Sequence, residues 1–265
     1  MIKYLQLIRV HQYIKNGFVL LPVFFASQML NTQIVVTALI GFFAFCFLSS
    51  VVYIINDIKD VEADRKHDTK RLRPIANNTV SVRTACILAC VLLIVSTVLN
   101  FFAKGDDVLA WVYILVYLII NLAYSFGLKK IPLVDITILT SGFLLRLLYG
   151  ARISGIEISH WLYLTVIAMS FYLAIGKRRN ELMTQQDSAR KVLQYYNVSF
   201  LDKSIYLCMG LMIVFYSLWS VNPVMLAKTT GSFMIWTVPA LIIICFRRMW
   251  RLNGARGRPF KIALL

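Results

Sequence analysis

The sequence predicts an all-α, polytopic membrane protein: a bundle of transmembrane helices with both chain termini in the cytoplasm. Three observations lead to this prediction. The 265 residues are 59% hydrophobic, with a mean hydropathy of +0.72. The apolar residues form runs of roughly 18 or more with almost no charge, which are typical of membrane helices and too long for barrel strands. The basic residues, finally, lie almost entirely in alternate loops between these runs.

Eight candidate spans follow from the apolar runs. They cover 17–30, 34–56, 82–102, 108–126, 132–151, 160–176, 204–222 and 232–246. The first is short and follows basic residues as a signal peptide would, but seven more spans come after it, so we expect it to be retained. We expect one transmembrane domain over 1–265, in which the long charged loops 57–81 and 177–203 cap an active site on the cytoplasmic side.

The distribution of charge predicts the orientation. Of the 28 lysines and arginines, 24 fall in loops on the same side as the N-terminus. This asymmetry follows the positive-inside rule and predicts that both termini lie on the cytoplasmic side of a cell (inner) membrane. The net charge of +16 is then largely a matter of topology, so no nucleic-acid partner is expected. The sequence does not indicate an oligomeric state.

Acidic residues gather at the end of the second span, in IINDIKDVEADR (54–65). The polar residues that share one helix face are Asn56, Asp57, Asp60 and Asp64. On a helix that advances about 100° per residue, these four fall within roughly one quadrant, whereas Glu62 points away. Stacked carboxylates repel one another unless a cation stands between them, and hard oxygen ligands suit Mg²⁺ bound to substrate phosphates. We predict that the four bind Mg²⁺ and that the three aspartates are catalytic; a solvated, salt-bridged helix end is the alternative.

The segment that follows, HDTKRLRP (67–74), is basic. Its candidates for phosphate binding are Lys70, Arg71 and Arg73. Beside a carboxylate-bound metal, lysine and arginine would neutralise the remaining charge of a diphosphate. The positive-inside signal by itself explains part of this charge, so both interpretations stay open.

The acidic pattern Asn56-Asp57-x-x-Asp60-x-x-x-Asp64 resembles the first aspartate motif of the UbiA-type intramembrane prenyltransferases. In that superfamily the motif holds Mg²⁺ against a diphosphate, and the resemblance implies the same use here. The stretches HQYIKN, YSFGLKK, GFLLRLLYGA and GKRRNEL resemble more closely the polyprenyl-phosphate (decaprenyl-phosphate) phosphoribosyltransferase branch. Members of that branch join phosphoribosyl diphosphate to a polyprenyl phosphate lipid and release diphosphate. The superfamily usually has nine spans, so the count of eight implies that a ninth is absent or lost by truncation.

A second departure from the superfamily lies after the sixth span, where a second acidic DxxxD motif is usual. This chain has Lys177-Arg178-Arg179-Asn180-Glu181 there. On a helix, Lys177, Arg178 and Glu181 fall within about 100° of one another. The replacement of acidic by basic residues argues against a second metal held by carboxylates and favours direct contacts with phosphate. The resemblance implies a ligand for such contacts, the additional 5-phosphate of phosphoribosyl diphosphate. Cytoplasmic anchoring of the helix is the alternative.

Several further polar residues are candidates for substrate binding. Lys15 and Asn16 match the KN pair of the branch and are predicted either to contact phosphate or to anchor the chain at the interface. Tyr124 is a candidate cavity residue. Lys129 and Asp135 lie near the start of the fifth span, where a metal or ribose-hydroxyl role competes with a salt bridge.

Arg146 lies inside the fifth span, on nearly the same helix face as Asp135 and about 16 Å further along. Because an intramembrane arginine is costly, we expect it to have a partner. A structural role and phosphate binding both stay open for this residue.

The residues indicate a metal–phosphate site, and the resemblance implies that it belongs to a Mg²⁺-dependent transferase that moves 5-phosphoribose to a polyprenyl phosphate. Metal and cations would stabilise the departing diphosphate while the ribose C1 gains oxocarbenium character, and a lipid phosphate needs no strong general base. One alternative is prenyl transfer from a polyprenyl diphosphate to an aromatic or quinone-precursor acceptor. The other is an ion or anion transporter, which the near absence of charge within the spans disfavours.

Overall fold

The structure, a computed structural model, describes residues 2–184, 191–223 and 232–254. Within these ranges all regular structure is helical, without strands, as the sequence predicts. The α-helices are α1 (Ile2–Ile8), α2 (Leu21–Phe25), α3 (Thr32–Lys59), α4 (Val61–Arg65), α5 (Val82–Lys104), α6 (Val108–Phe126), α7 (Val134–Ser154), α8 (His160–Thr184), α9 (Val198–Ser220) and α10 (Thr237–Gly254). Short 3-10 helices cover Val10–Val19, Lys70–Leu72, Leu128–Lys130, Lys191–Tyr195 and Ser232–Trp236.

Five of these helices are long and apolar enough to cross a membrane, judged by length and composition. They are α3, α5, α6, α7 and α9. Each coincides with a predicted span, and α8 and α10 overlap two more. The total of eight spans and the location of the termini stay predictions. Apolar side chains such as Ile94 and Phe102 of α5 are exposed on the outside of the bundle, where lipid would cover them.

The predicted first span over 17–30 is wrong as a single helix. A 3-10 helix ends at Val19, and α2 then runs for only five residues with Pro22 in its first turn. Val19 and Val23 are buried inside the bundle. The apolar character of this stretch therefore reflects packing against protein, which a hydropathy pattern does not distinguish from contact with lipid.

Polar side chains cap the starts of the long helices. Asn31, Ser81, Asp107 and Asn197 stand before α3, α5, α6 and α9, and each accepts a hydrogen bond from an early backbone N–H. Such caps satisfy donors that a helix leaves without an internal partner, and each stabilises its helix by about 1 kcal/mol. Gly155 closes α7 with a left-handed φ of 64°.

Helix α7 holds the bundle together. Helix α3 packs along α5, and α8 packs along α9, while α7 contacts α3, α6 and α8. The N-terminal 3-10 helix also lies against α7, where Gly150 permits the approach: a Cβ at this position would stand 2.0 Å from the carbonyl oxygen of Val19. This contact brings the N-terminal segment beside the polar residues of α3 and α7.

The long charged loops differ in part from the sequence prediction. Helix α3 ends at Lys59 rather than continuing through the acidic cluster, and α4 begins after a bend at Asp60. Backbone hydrogen bonds of the α-helical kind continue across the bend: the Asp60 amide donates to the Asn56 carbonyl, and the Asp64 amide donates to the Asp60 carbonyl. The predicted loop 177–203 is helical up to Thr184 and again from Val198, and its residues 185–190 lie outside the described ranges.

Candidate active site

Asp57 and Asp64 form a compact ion cluster with two arginines. Arg73 Nη1 donates to Asp57 Oδ1 at 3.0 Å and to Asp64 Oδ2 at 2.6 Å. Arg9 Nη2 donates to the same Asp57 oxygen at 2.5 Å. Both carboxylates are buried, whereas the two arginines keep part of their surface. The basic segment after the motif therefore supplies a direct partner to two of the predicted aspartates.

The other two members of the motif face the end of α6. Lys129 Nζ lies 2.7 Å from both oxygens of Asp60, and Ser125 Oγ donates to Asn56 Oδ1 at 3.2 Å. Glu62 is exposed and pairs only locally, with Arg65 at 3.6 Å. The prediction that Glu62 stands apart from the other three acids agrees with this geometry.

The motif has the chemistry of a Mg²⁺ site, although its carboxylates are engaged by cations. No group of three or more His, Cys, Asp or Glu in the described part of the chain is arranged around a common point for a metal. Asp57 and Asp64 nevertheless direct oxygens at one nitrogen, Arg73 Nη1, so they already converge on a positive charge. Mg²⁺ needs only one or two carboxylates when waters and substrate phosphates complete its shell. The residues therefore fit the ion if the arginine moves aside.

A second polar cluster is buried where α6, α7 and α8 meet. Arg178 has no accessible surface and uses all three guanidinium nitrogens: Nε binds Asp135 at 2.5 Å, Nη1 binds Glu181 at 2.5 Å, and Nη2 binds Tyr124 at 2.9 Å. Tyr196 Oη donates to Asp135 Oδ1 at 2.7 Å. Four of the predicted residues thus belong to one network. Direct phosphate binding by Arg178 stays a prediction, and it would require Arg178 to exchange one of these carboxylate or hydroxyl partners for the phosphate.

Consecutive residues of α6 connect the two clusters. Tyr124 accepts from Arg178 in the buried network, and Ser125 donates to Asn56 of the acidic motif. Lys129, four residues after Ser125, binds Asp60. The ends of α3, α6 and α8 and the start of α7 therefore form one polar region at one end of the bundle.

The remaining basic candidates lie at the edges of this region. Lys70 is partly exposed, and Arg71 is exposed and donates to the Asp68 carbonyl. Lys177 is exposed on the face of α8 that borders a cavity of about 770 Å³, together with Arg247 and Arg248 of α10. Lys177 is therefore separated from Arg178, which points into the interior.

Asn16 and Arg146 form a deeper network inside the bundle. Arg146 Nε donates to Asn16 Oδ1 at 2.7 Å, Nη2 donates to Tyr117 Oη at 2.8 Å, and Nη1 donates to the Gly142 carbonyl at 2.6 Å. Asn16 is itself buried and donates to Ser49 Oγ at 3.0 Å. The partner expected for Arg146 is thus a set of neutral oxygens. Phosphate binding by Asn16 stays a prediction, and in the structure its side chain is engaged in this network.

Lys15 points the other way, and its side chain is exposed. Although the residue as a whole is exposed, protein partly surrounds its ammonium group, and this desolvation, together with the nearby charges of Arg146 and Arg9, lowers the pKa of Lys15. Lys15, Arg9 and Arg146 therefore lie close enough for their positive charges to repel one another.

Sequence reasoning missed Arg9, Tyr117 and Tyr196. Each contacts a predicted residue from a distant part of the chain: Arg9 contacts Asp57, Tyr117 contacts Arg146, and Tyr196 contacts Asp135. The only available signal was the position of Arg9 two residues before HQYIKN, a stretch already singled out. The two tyrosines carried no such signal.

A family comparison accounts for this arrangement of an acidic helix end, a basic loop and a helical bundle. The model of the UbiA prenyltransferase family matches residues 17–262. The chain belongs to the UbiA prenyltransferase family. It is therefore a transferase and a multi-pass membrane protein, and the transporter alternative is set aside.

Curated relatives support a narrower similarity within the UbiA family. The chain is 34% identical over 263 residues to decaprenyl-phosphate phosphoribosyltransferase of Corynebacterium glutamicum, covering 97% of this chain and 79% of that protein. It is 35% identical over 235 residues to the protein of the same name from Mycolicibacterium smegmatis, covering 85% and 73%. The predicted resemblance to this branch is confirmed.

Solved structures of UbiA proteins share the fold. A UbiA homologue from Archaeoglobus fulgidus bound to DMAPP and Mg²⁺ superimposes with a TM-score of 0.74 at 18% identity, covering 99% of this chain and 90% of that one. Digeranylgeranylglyceryl phosphate synthase gives a TM-score of 0.63 at 18% identity, covering 94% and 95%. At these identities the likeness concerns the fold alone.

Proposed function

We propose that this UbiA protein transfers 5-phosphoribose from phosphoribosyl diphosphate to a polyprenyl phosphate and releases diphosphate. The observation that carries the proposal is the similarity, over 97% of the chain, to an enzyme named for that activity. The sequence at the end of α8 supports it, since the exposed Lys177 stands where an acidic motif is usual in the superfamily. A donor with an additional phosphate needs such positive charge rather than a second carboxylate-held metal.

In this proposal the two clusters have separate tasks. Asn56, Asp57, Asp60 and Asp64 are the residues that would hold Mg²⁺. The ion, when bound, would neutralise oxygens of the donor diphosphate. Arg73 and Lys129, which already lie against these carboxylates, would turn to the remaining phosphate oxygens as the donor enters.

The chemical step requires little acid–base work from the protein. The bond between ribose C1 and the diphosphate oxygen breaks, and the electron pair leaves with the diphosphate. An oxygen of the lipid phosphate forms the new bond to C1, and its negative charge makes a general base unnecessary. Cations around the diphosphate stabilise the charge that develops on the leaving group, which is the main contribution expected of the site.

The buried network would set the position of the second helix end. Arg178 fixes α8 against α7 through Asp135 and orients Glu181 through Nη1. Glu181 keeps part of its surface exposed, so it is the member of this network placed to meet a ribose hydroxyl. Arg178 is then a positioning residue, and Lys15, Lys70, Arg71 and Lys177 supply cations at the edges.

The orientation in the membrane is also part of the proposal. The polar region lies at the end of the bundle that carries the basic loops, so a cell (inner) membrane with the site facing the cytoplasm fits the positive-inside rule. A soluble donor would enter from the cytoplasm, and the lipid acceptor would enter from the bilayer.

A second candidate is prenyl transfer to an aromatic or quinone-precursor acceptor. The family description favours it, as does the fold shared with a protein bound to DMAPP. Both reactions use a diphosphate donor, so the carboxylate motif does not separate them.

The deciding experiment gives the purified full chain, reconstituted in liposomes, both substrate pairs. One pair is radiolabelled phosphoribosyl diphosphate with polyprenyl phosphates of several lengths, and the other is prenyl diphosphate with 4-hydroxybenzoate. We expect lipid-linked phosphoribose, dependent on Mg²⁺, from the first pair alone. Asp64→Ala should lower turnover by roughly 100-fold or more, whereas Glu62→Ala, an exposed acid of the same segment, should leave it unchanged. Product from the second pair alone would refute the proposal.

A further inference from the structure

Arg9 occupies a backbone conformation that a non-glycine residue rarely adopts. Its φ of 56° and ψ of 51° are left-handed, at the junction between α1 and the 3-10 helix. This conformation costs of order 1 kcal/mol and persists only where surrounding contacts impose it. Ser50 Oγ supplies one such contact, since it donates to the Ile8 carbonyl at 2.8 Å and lies 3.0 Å from Tyr13 Oη. The turn aims the Arg9 side chain at the end of α3.

The Arg9 guanidinium is held on both sides. Its Nη2 lies 2.5 Å from Asp57 Oδ1, and its Cζ lies over the Tyr53 ring, 5.0 Å from the ring centre. About 18% of the side chain stays accessible. An arginine stacked on an aromatic ring is oriented but keeps free donors, so it can change its anion partner without losing its support.

The charges of the cluster balance only as long as no metal is bound. Arg9 and Arg73 carry two positive charges against the two negative charges of Asp57 and Asp64, and Asp57 Oδ1 accepts from both arginines. A bound Mg²⁺ would add two further positive charges to a poorly hydrated region. Only an anionic donor, or the departure of an arginine from the carboxylates, offsets that excess.

We propose that Arg9 is an exchangeable counter-ion: it holds Asp57 while the metal is absent and binds a donor phosphate once the metal takes the carboxylate. This inference rests on the proposed use of Asp57 as a metal ligand and adds a substrate-binding residue that the sequence pattern did not indicate. Arg9 would thus oppose metal binding in the free enzyme and assist donor binding in the loaded one. Loss of Arg9 should therefore strengthen metal binding and weaken donor binding, whereas a purely structural residue would not have these opposite effects.

The test measures Mn²⁺ binding to the full chain in detergent at pH 8 by electron paramagnetic resonance, first without donor. Removal of a cation in contact with a metal ligand should strengthen Mn²⁺ binding to Arg9→Gln by about tenfold or more. Arg65→Gln is the matched control, because Arg65 lies in the same region but bonds to Ala76, Asn78 and exposed Glu62. Unchanged or weaker Mn²⁺ binding to a folded Arg9→Gln protein would overturn the inference.

The second measurement titrates phosphoribosyl diphosphate, and separately a prenyl diphosphate, into the Mn²⁺-loaded proteins. Arg9→Gln should weaken binding of whichever donor the wild type accepts by about tenfold. Arg9→Lys keeps the charge and loses the planar fork of donors, so it should weaken donor binding while leaving Mn²⁺ binding near the wild-type value. If Arg9→Gln does not fold, Arg9→Lys still provides both measurements. Wild-type binding of the prenyl diphosphate alone would refute phosphoribosyl transfer yet leave the Arg9 exchange standing. Donor binding unchanged in both variants would refute the exchange itself.

Discussion

Arg178 of α8 and Asp135 of α7 form an ion pair, Nε to Oδ2 at 2.5 Å, in which neither side chain has accessible surface. Removing two charges from water is costly, and the pair is tolerable because each guanidinium nitrogen and each carboxylate oxygen has a hydrogen-bond partner. Glu181 and Tyr124 accept hydrogen bonds from the other two guanidinium nitrogens of Arg178, and Tyr196 donates to the second oxygen of Asp135. Such a pair contributes more to the fixed relative position of α7 and α8 than to net stability.

Breaking one side of this pair should be severely destabilising. Arg178→Gln leaves Asp135 buried without its counter-ion, and we expect a loss of about 3–5 kcal/mol in the free energy of unfolding. Denaturant unfolding in detergent measures this loss. Arg179→Gln is the matched control, because Arg179 and its partner Asp202 both keep part of their surface accessible, and it should cost clearly less than Arg178→Gln.

Replacement of both partners tests whether the pair serves position rather than stability. The double variant Asp135→Leu/Arg178→Met should regain most of the stability lost in Arg178→Gln, since apolar residues of similar size remove the buried charge. Its turnover should stay far below that of the wild type, because Glu181 is no longer oriented. A double variant with wild-type kcat and KM would show that the network has no part in the reaction.

Ionisation of Tyr196 should destabilise this network at alkaline pH. Burial and its hydrogen bond to Asp135 raise the pKa of Tyr196 to about 12. Because this value lies above the ordinary value near 10, the stabilisation is complete below pH of about 10 and is lost as the pH rises through about 12. Tyr196→Phe should cost about 1–3 kcal/mol at pH 8, since the Asp135 oxygen and the Leu133 amide each lose a partner.

Stability curves of wild type and Tyr196→Phe between pH 7 and 11 check this expectation. The difference between them should be constant up to about pH 10 and then decrease. Tyr195→Phe, at the exposed neighbouring position, should follow the wild type throughout. A constant difference up to pH 11 would be inconsistent with a titrating Tyr196 hydroxyl.

Local features of the site could be predicted from sequence because they depend on a single helix. The three- and four-residue spacing correctly separated Glu62 from Asp57 and Asp64, and the period survives the bend at Asp60 because the hydrogen bonds across it remain. The helical class followed from the length of the apolar runs. What hydropathy could not provide was the difference between burial in protein and burial in lipid, and this produced the wrong first span.

Partners supplied by other elements could not be predicted in the same way. Arg9 lies 48 residues from Asp57, and Tyr196 lies 61 residues from Asp135. Both contacts depend on how the helices pack against one another, and the residue pattern within a single helix carries no information about that packing. Arg9 was also one of many cations on the same side of the membrane, so the positive-inside signal hid it. For Arg178, the sequence identified the residue but not whether its side chain pairs with a buried carboxylate or faces a phosphate, because both kinds of site use an arginine.

Asp60 and Lys129 should act as one unit in catalysis. Lys129 Nζ lies 2.7 Å from both Asp60 oxygens, whereas the Asp57–Asp64 cluster uses Arg9 and Arg73. In a double-mutant cycle on kcat/KM for the donor, Asp60→Asn and Lys129→Gln should show a coupling of about 0.5–3 kcal/mol. The control cycle replaces the next residue, Lys130→Gln, and should be additive. Additivity in both cycles would show that the ion pair has no part in donor binding.

The network around Arg146 should be structural and should leave donor binding unaffected. Its partners are Asn16, Tyr117 and a backbone carbonyl, and it lies within the bundle beneath the acidic motif. Tyr117→Phe removes one acceptor of a buried guanidinium and should cost about 1–3 kcal/mol in the free energy of unfolding. Tyr113→Phe, on the same helix one turn earlier, should cost little because its hydroxyl contacts neither Arg146 nor Asn16. At a temperature where both variants are folded, KM for the donor should match that of the wild type; a several-fold increase for Tyr117→Phe alone would instead place Arg146 in phosphate binding.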